Sequence, residues 1–252
     1  MLDALWGGTS AMRKAREKYL PRNPEESVDA YNIRLQKSVL LPIYTRTIET
    51  LIGKPFKKVV TLKEDVPQLL VDYTQNIDLE GHNITVFSRS VAMEAMDKGI
   101  SYIFVDYPVV RRDDGQALTR ADEQAMGARP YCIHVKPGSV YGIGCEKIGG
   151  VMTLTEFRYG EMITTQNPDF TESTVEQIRV IRRDEWQTWQ KAEKTADWVM
   201  TDQGVNTLGM VPVVALYANG TGFYIGEPTA LEIAHLNVAH WQSRSDQQNI
   251  LH

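Results

Sequence analysis

The sequence predicts an α+β protein, and three features of its patterning carry that reading. Apolar residues recur at helical spacing through residues 1–98. Between 99 and 227 the pattern becomes β-branched and aromatic runs separated by turn residues, and from 228 onward the helical spacing returns. The chain therefore divides into an N-terminal helical region (1–98), a β-rich part (99–227) and the start of a long helix (228–252). With 252 residues, 42% hydrophobic and 23% charged, it is large enough to bury one large core or two small ones.

Taken in order, residues 2–18 alternate apolar and basic positions as one helix. The segment "YLPRNPEES" then supplies two prolines, an N-cap at Asn23 and Pro24 at the first helical position. A second helix is expected to run through "VDAYNIRLQKSVLLPIYTRTIETLIG", with Tyr31, Leu35, Val39, Tyr44, Ile48, Leu51 and Ile52 along one stripe and a kink at Pro42. Gly53 fits a C-terminal cap, and Pro55 prevents continuation. A third helix is expected over about 79–98, presenting Val86, Val91, Met93, Ala95 and Met96 before a capping Gly99.

The β-rich part opens with "ISYIFVDYP", the pattern of a strand buried on both faces. "RRDDGQALTRADEQAMGARP" reads as a polar excursion with a short helical piece. Antiparallel strands are expected in "PYCIHVK", "SVYGIG", "VMTLTEFRYGEMI", "EQIRVIRRDEWQTWQK" and "ADWVMTD", and "LGMVPVVALYANGTG" reads as a further strand ending in an Asn-Gly turn. The final helix begins at about Pro228. Residues 247–252 hold no C-cap, which implies a helix that continues in a longer natural chain.

Bulk properties narrow the function. No apolar run is long enough to span a bilayer and no secretory signal pattern is present, so the expected setting is inside a cell and off the membrane. Cys132 and Cys145 give no disulfide framework. A net charge of -5 argues against broad adhesion to nucleic acid.

Tests for chemistry come out negative. "IGKPFKK" has one glycine, then a proline without an N–H, and lacks the Ser or Thr that a phosphate loop needs; it reads as a helix terminus. Gly142, Gly144 and Gly149 lack dinucleotide-fingerprint spacing and read as hairpin glycines. Cys132 and His134 share a strand face, but two ligands do not close a metal site, so a packed Cys and a hydrogen-bonded His are expected. His235 and His240 are five positions apart and do not form a zinc-peptidase pair; one of them is expected to face a neighbouring helix. No Gly-x-Ser-x-Gly elbow or cysteine-protease signature occurs. Asp106, Asp113, Asp114, Asp197 and Asp202 would form an acidic site only if the fold gathered them, and Arg13, Lys14, Arg16 and Lys18 read first as a solvated helix face. No catalytic, cofactor-binding or metal-binding residue is assigned.

The order of the segments carries more. "WGGTSAMRKAREKYLP", a helix ending "TIETLIGKPF", the strand "YIFVDYP", "RPYCIHVKPGSVYGI", "LTEFRYGE", "EQIRVIRRDEWQTW", "LGMVPVVALYANG" and a helix carrying "LNVAHWQSRSDQQNILH" together cover most of the chain. This succession resembles the portal proteins, or head-to-tail connectors, of tailed bacteriophages, in particular a portal-like family formerly of unknown function.

The resemblance implies a ring of about a dozen identical subunits at one capsid vertex. Double-stranded DNA passes through the channel non-specifically during packaging and ejection. The implied partners are capsid and scaffold proteins, the terminase packaging motor and a tail adaptor, with the protein located in the virion and, during assembly, in the host cytoplasm. The chain would be the wing-like body, its last helix leading toward the stem, with the clip mostly beyond residue 252. On this reading it is not an enzyme. Lys54, Lys57 and Lys58 would serve subunit contacts, Phe56 would pack under the sheet, and Trp186, Trp189 and Trp241 would anchor a core or interface. Two other classes compete: a metal-dependent nucleic-acid-processing enzyme and a monomeric adaptor or scaffold.

Overall fold

The computed structural model describes residues 1–108, 127–166, 169–191 and 197–250. The fold is α+β: among the described residues, α-helices pack beside two face-to-face antiparallel sheets.

The N-terminal helical pattern is divided more finely than its periodicity suggests. The expected helix over 2–18 breaks into α1 (Leu2–Trp6) and α2 (Gly8–Ala15), because Gly8 adopts φ +66 at the junction. The expected cap at Asn23 lies in a turn instead. The cap is Ser27, whose side chain accepts the Ala30 N–H, and α3 runs Val28–Lys37. The turn serves Glu26, which accepts the Asn23 N–H and forms a buried ion pair with Arg34.

Pro42 produces a full break rather than a kink. α4 starts at Ile43 and ends at Gly53, and Ser38 and Leu41 lie outside any helix. Most of the expected stripe is buried, namely Tyr31, Leu35, Tyr44, Ile48 and Ile52, whereas Val39 and Leu51 face solvent. Gly53 is the last helical residue, not a left-handed cap; Pro55 opens a short 3-10 turn, Pro55–Lys57, that ends the run. Phe56 in that turn is only partly buried and joins neither core cluster, so it does not pack under a sheet.

Sequence periodicity missed α5 (Gln68–Gln75), and for a physical reason: it buries no residue, with Leu69 and Leu70 exposed, so no core-facing stripe exists to be read. The third expected helix starts at Ile84, not near 79, because Asn83 caps it by accepting the Thr85 and Val86 N–H groups. This α6 (Ile84–Lys98) ends at Gly99 with φ +88, as its sequence predicts. A side chain at Gly99 would also collide with the backbone of Glu227.

Strand β1 (Ile100–Asp106) is the centre of a three-stranded sheet between β2 (Tyr131–Val135) and β8 (Val213–Tyr217), both antiparallel to it. The second sheet has the order β3-β4-β5-β6-β7, formed by Val140–Ile148, Val151–Gln166, Glu172–Arg182, Glu185–Lys191 and Trp198–Val205. Gly149 and Gly150, at φ +59 and +86, make the tight turn joining β3 to β4, as the glycine pattern suggested. The segment containing Trp186 resolves into two strands, with a hairpin at 183–184. The Asn219–Gly220 step is a bend leading into a small ribbon, β9 (Gly220–Gly222) and β10 (Ile225–Gly226), and does not return the chain to β8. The polar excursion at 109–126 falls outside the described residues.

One hydrophobic cluster lies between the sheets, built from Ile100, Tyr102, Phe104 and Val135 on one side and Leu154, Phe157, Tyr159 and Ile181 on the other. Leu154 and Phe157 face the same way despite odd spacing, because Thr155 has no partner in the register with β3 and forms a bulge. A second cluster joins α1 to α4 with α7 (Leu231–Ile250), centred on Tyr31, Tyr44, Ile48 and the fully buried Trp241. Regions 1–98 and 228–252 therefore share one core.

The break between α3 and α4 is held by side chains from elsewhere. Asn237 of α7 accepts the Tyr44 N–H (3.0 Å) and donates to the Leu41 carbonyl (2.9 Å). Arg13 donates to the Ser38 carbonyl and Thr9 accepts the Leu40 N–H. Replacing Asn237 with Leu should strand two backbone groups at about 1–3 kcal/mol each. Urea denaturation should show that loss, while the exposed His240→Ala should leave the midpoint unchanged.

Candidate functional site

The loop at 76–82 is built by its own side chains. Asn76 accepts the Gly81 N–H, and Asp78 accepts the N–H groups of Glu80 (2.9 Å) and His82 (3.2 Å). Leu79 and Gly81 take positive φ, +64 and +95, within this arrangement. The Ile77 carbonyl accepts the Cys132 N–H at 2.9 Å, which fixes the loop against the outer edge of β2.

Between this loop, α6, β2 and the β4–β5 pair lies a cleft of about 580 Å³. Ligand atoms of Asp78, Glu80 and His82 lie within 4.8 Å of one another at its rim, and His82 Nδ1 is 2.6 Å from Asp78 Oδ2. Burial works against the charge of Asp78, but the Glu80 and His82 N–H groups and the His82 ring outweigh it and hold the carboxyl below its usual range. The sequence signal is Asp-x-Glu-x-His over 78–82. It differs from helical zinc spacings because it belongs to a loop.

His134 lies deeper, with Nε2 2.8 Å from Ser101 Oγ and Nδ1 3.2 Å from Ser90 Oγ. It is the hydrogen-bonded histidine that the sequence predicts. Burial, assisted by Lys136, lowers its pKa to about 4, so it is neutral near pH 7. Cys132 is a free thiol whose pKa is raised by burial and by Asp78, and Cys145 is likewise free with a raised pKa. Raised values keep both in the thiol form that reacts poorly.

The aspartates weighed as a joint acidic site have separate surroundings. Asp106 accepts from Arg179 (2.7 Å) and from Tyr131 Oη (3.1 Å), Asp197 is exposed, and Asp202 pairs with Thr188 on β6. Asp113 and Asp114 lie outside the described residues. Among the described residues the cluster brought within metal-ligand spacing is that of Asp78, Glu80 and His82. Contact between Asp106 and Arg179 links positions 73 apart, so no local spacing could have revealed it.

Both His235 and His240 are exposed on α7, so neither faces a neighbouring helix, a correction of that expectation. In the basic N-terminal stretch, Arg13 holds the Ser38 carbonyl, Arg16 donates to Asn32 and lies over Tyr31, and Lys18 lies over Tyr19. Arg13 and Arg16 are thus tied into the helical layer. Lys54, Lys57 and Lys58 are exposed.

Trp241 is a core anchor, whereas Trp186 and Trp189 are partly buried on opposite faces of β6. On the outer face of the five-stranded sheet, Gly160, Ile178, Trp189 and Met200 stand side by side across successive strands. Tyr141 covers Gly160, where a Cβ would come within 2.6 Å of its ring. Its hydroxyl donates to Glu176 (2.7 Å), Glu176 is paired with Lys191 (2.7 Å), and Lys191 lies over Trp198. No helix of the described residues is long and apolar enough to cross a membrane. Neither protein-family models nor curated proteins give a match to this chain.

The depressed pKa of His134 predicts a stability change with pH. Between its unfolded value of 6.5 and its folded value of about 4 the unfolded chain binds the extra proton, so its contribution is present above pH 6.5 and is lost as pH falls toward 4. Denaturation midpoints across that window should fall less steeply for His134→Asn than for the native chain.

Proposed function

We propose that the chain is a structural subunit of a phage portal ring, its α+β body forming the wing around a conduit for double-stranded DNA. The succession of segments supports the reading, and the observation that carries it is the outer face of the five-stranded sheet. Tyr141, Ile178, Trp189, Met200 and the neighbouring Met162 and Trp198 present apolar surface there, with Tyr141, Met162 and Met200 markedly exposed. Rigid aromatics and methionines are the residue types that protein interfaces favour. The adjoining charges are paired within the chain, Arg182 with Glu156 and Glu185, and Lys191 with Glu176. Such a face favours a protein neighbour over phosphate. Capsid and scaffold proteins, the packaging motor and a tail adaptor are the partners this role requires.

Native mass measurement and negative-stain imaging test it. Rings with a central hole are expected, and Trp189→Glu should reduce the assembled fraction while leaving the thermal midpoint nearly unchanged, since Trp189 is only partly buried. A monomer at every concentration would sink the ring and favour the adaptor.

The Asp78, Glu80 and His82 cluster favours a second reading, a metal-dependent enzyme acting on nucleic acid. Asp78 already spends Oδ1 on two loop N–H groups, which leaves it less able to serve a metal and ranks this reading second. Divalent-ion-dependent nuclease activity abolished by His82→Ala would reverse the ranking.

A further inference from the structure

The two packed sheets are unequal in width, three strands against five, and the inner face of β6 and β7 extends past the edge of its partner. Along that face the register sets Phe157, Ile181, Trp186 and Gly204 in one row, and Tyr159, Arg179, Thr188 and Asp202 in the next. Phe157 and Tyr159 are covered by the three-stranded sheet. The overhang leaves a cavity of about 570 Å³, whose walls include Phe104, Ile181, Trp186, Leu208 and Pro212. Trp186 lies flat on Gly204, where a Cβ would come within 2.7 Å of the indole, so this wall is fixed. Cavities of this size, with apolar walls and a few polar groups, are the usual form of a small-ligand site.

Asp106, Tyr107, Asn206 and Thr207 also line the cavity, and its cation is Arg179. Its side chain is 16% exposed, and its guanidinium lies over the Phe104 ring at 5.2 Å. Only Nη1 is engaged, donating to Asp106 Oδ2 (2.7 Å) and to Tyr159 Oη (3.4 Å); Nε and Nη2 have no acceptor among the described residues. Asp106 is already supplied by Tyr131 Oη and the Tyr107 N–H as well as by Arg179, so it does not need the second edge of the guanidinium. Glu161, the next nearest acid, is held by Gln177 at 2.7 Å. A planar fork with two unused donors, in the wall that this cavity shares with the cleft beside His82 and close to the apolar Phe104, Ile181 and Trp186, matches a carboxylate carried on an apolar body.

We propose that this cavity binds an aromatic or apolar carboxylate, its ring against Trp186 and Ile181 and its two oxygens on Nε and Nη2 of Arg179. The proposal is independent of ring formation. The carboxylate supplies the charge complementarity, and the fixed indole supplies the stacking surface.

The test titrates the full chain with 2-naphthoate and with 2-naphthylmethanol, followed by calorimetry. Saturable one-to-one binding of the acid is expected, with the alcohol weaker by about tenfold or more, because hydrogen bonds to a charged donor are worth more than neutral ones. Arg179→Lys should remove most of that preference. Since this pair also braces the sandwich, Leu208→Trp gives a second arm: Leu208 is 63% exposed, and the larger ring should obstruct the mouth and weaken naphthoate severalfold without lowering the thermal midpoint. Equal affinity for acid and alcohol, absence of saturable binding, or naphthoate affinity unchanged in a folded Leu208→Trp chain would each overturn the proposal.

Discussion

Backbone polarity at the α3–α4 break governs the arrangement of the helical layer. Pro42 interrupts the helix, and the peptide groups around it must find partners within a core that contains Leu40 and Tyr44. Buried backbone groups are satisfied almost without exception, so the segment requires donors and acceptors from outside itself. They come from Thr9 and Arg13 in α2 and from Asn237 in α7. Helices α2 and α7 are thereby fixed around one interruption. Trp241 and Ala234, on the same side of α7, then fill the space that this alignment creates. Ser245 continues the contact by hydrogen bonding to Ser38, and Arg34 reaches both Ser245 and Asp246. A hydrophobic stripe alone would tolerate sliding of α7 along its neighbours; these directional bonds set its register.

The sheet layer follows a different rule. Register there comes from alternation, and departures from it come from bulges. Thr155 is unpaired in the β3–β4 ladder and Thr201 is the extra residue opposite the Thr188–Trp189 step. The second bulge is what places Trp189 beside Met200 on the outer face while Trp186 and Gly204 remain inside. Two tryptophans three positions apart therefore serve opposite surfaces, one lining the overhang between the sheets and the other standing in the exposed aromatic band.

Legibility in the sequence tracks how local the deciding physics is. The αL cap at Gly99, the turn at Gly149 and the strand β1 depend on neighbouring residues and were readable, although β1 is buried on both faces only in its first half, with Val105 exposed. The stripe through Tyr31 and Ile52 was readable too, but the break inside it depends on Asn237, about two hundred positions away, and periodicity carries no trace of that. Helix α5 escaped because an element without a buried face leaves no hydrophobic pattern. At the candidate site, the hydrogen-bonded character of His134 could be anticipated from its strand position, although its serine partners on α6 and β1 could not. Residues 78–82 carry an alternation of ligand types in the sequence, but their spacing matches no helical metal motif because the loop, not a helix, brings them together.

Charge placement connects these layers to the proposed role. A net charge of -5 is distributed so that many cations of the body are already answered: Arg34 by Glu26, Arg182 by Glu156, and Lys98 by Asp3. Cations committed in this way add little to a phosphate-binding field, because neutralising a phosphate would mean giving up an existing partner. The three lysines at 54, 57 and 58 are exposed beside one short turn, which concentrates positive charge at one place on an otherwise acidic body. A subunit whose neighbours carry the same net charge needs such asymmetry: like-charged copies repel at distance, and contact becomes favourable only where a basic spot meets an acidic surface or where apolar area outweighs the repulsion. Among the described residues, the aromatic band offers such apolar area and the lysine turn such a basic spot.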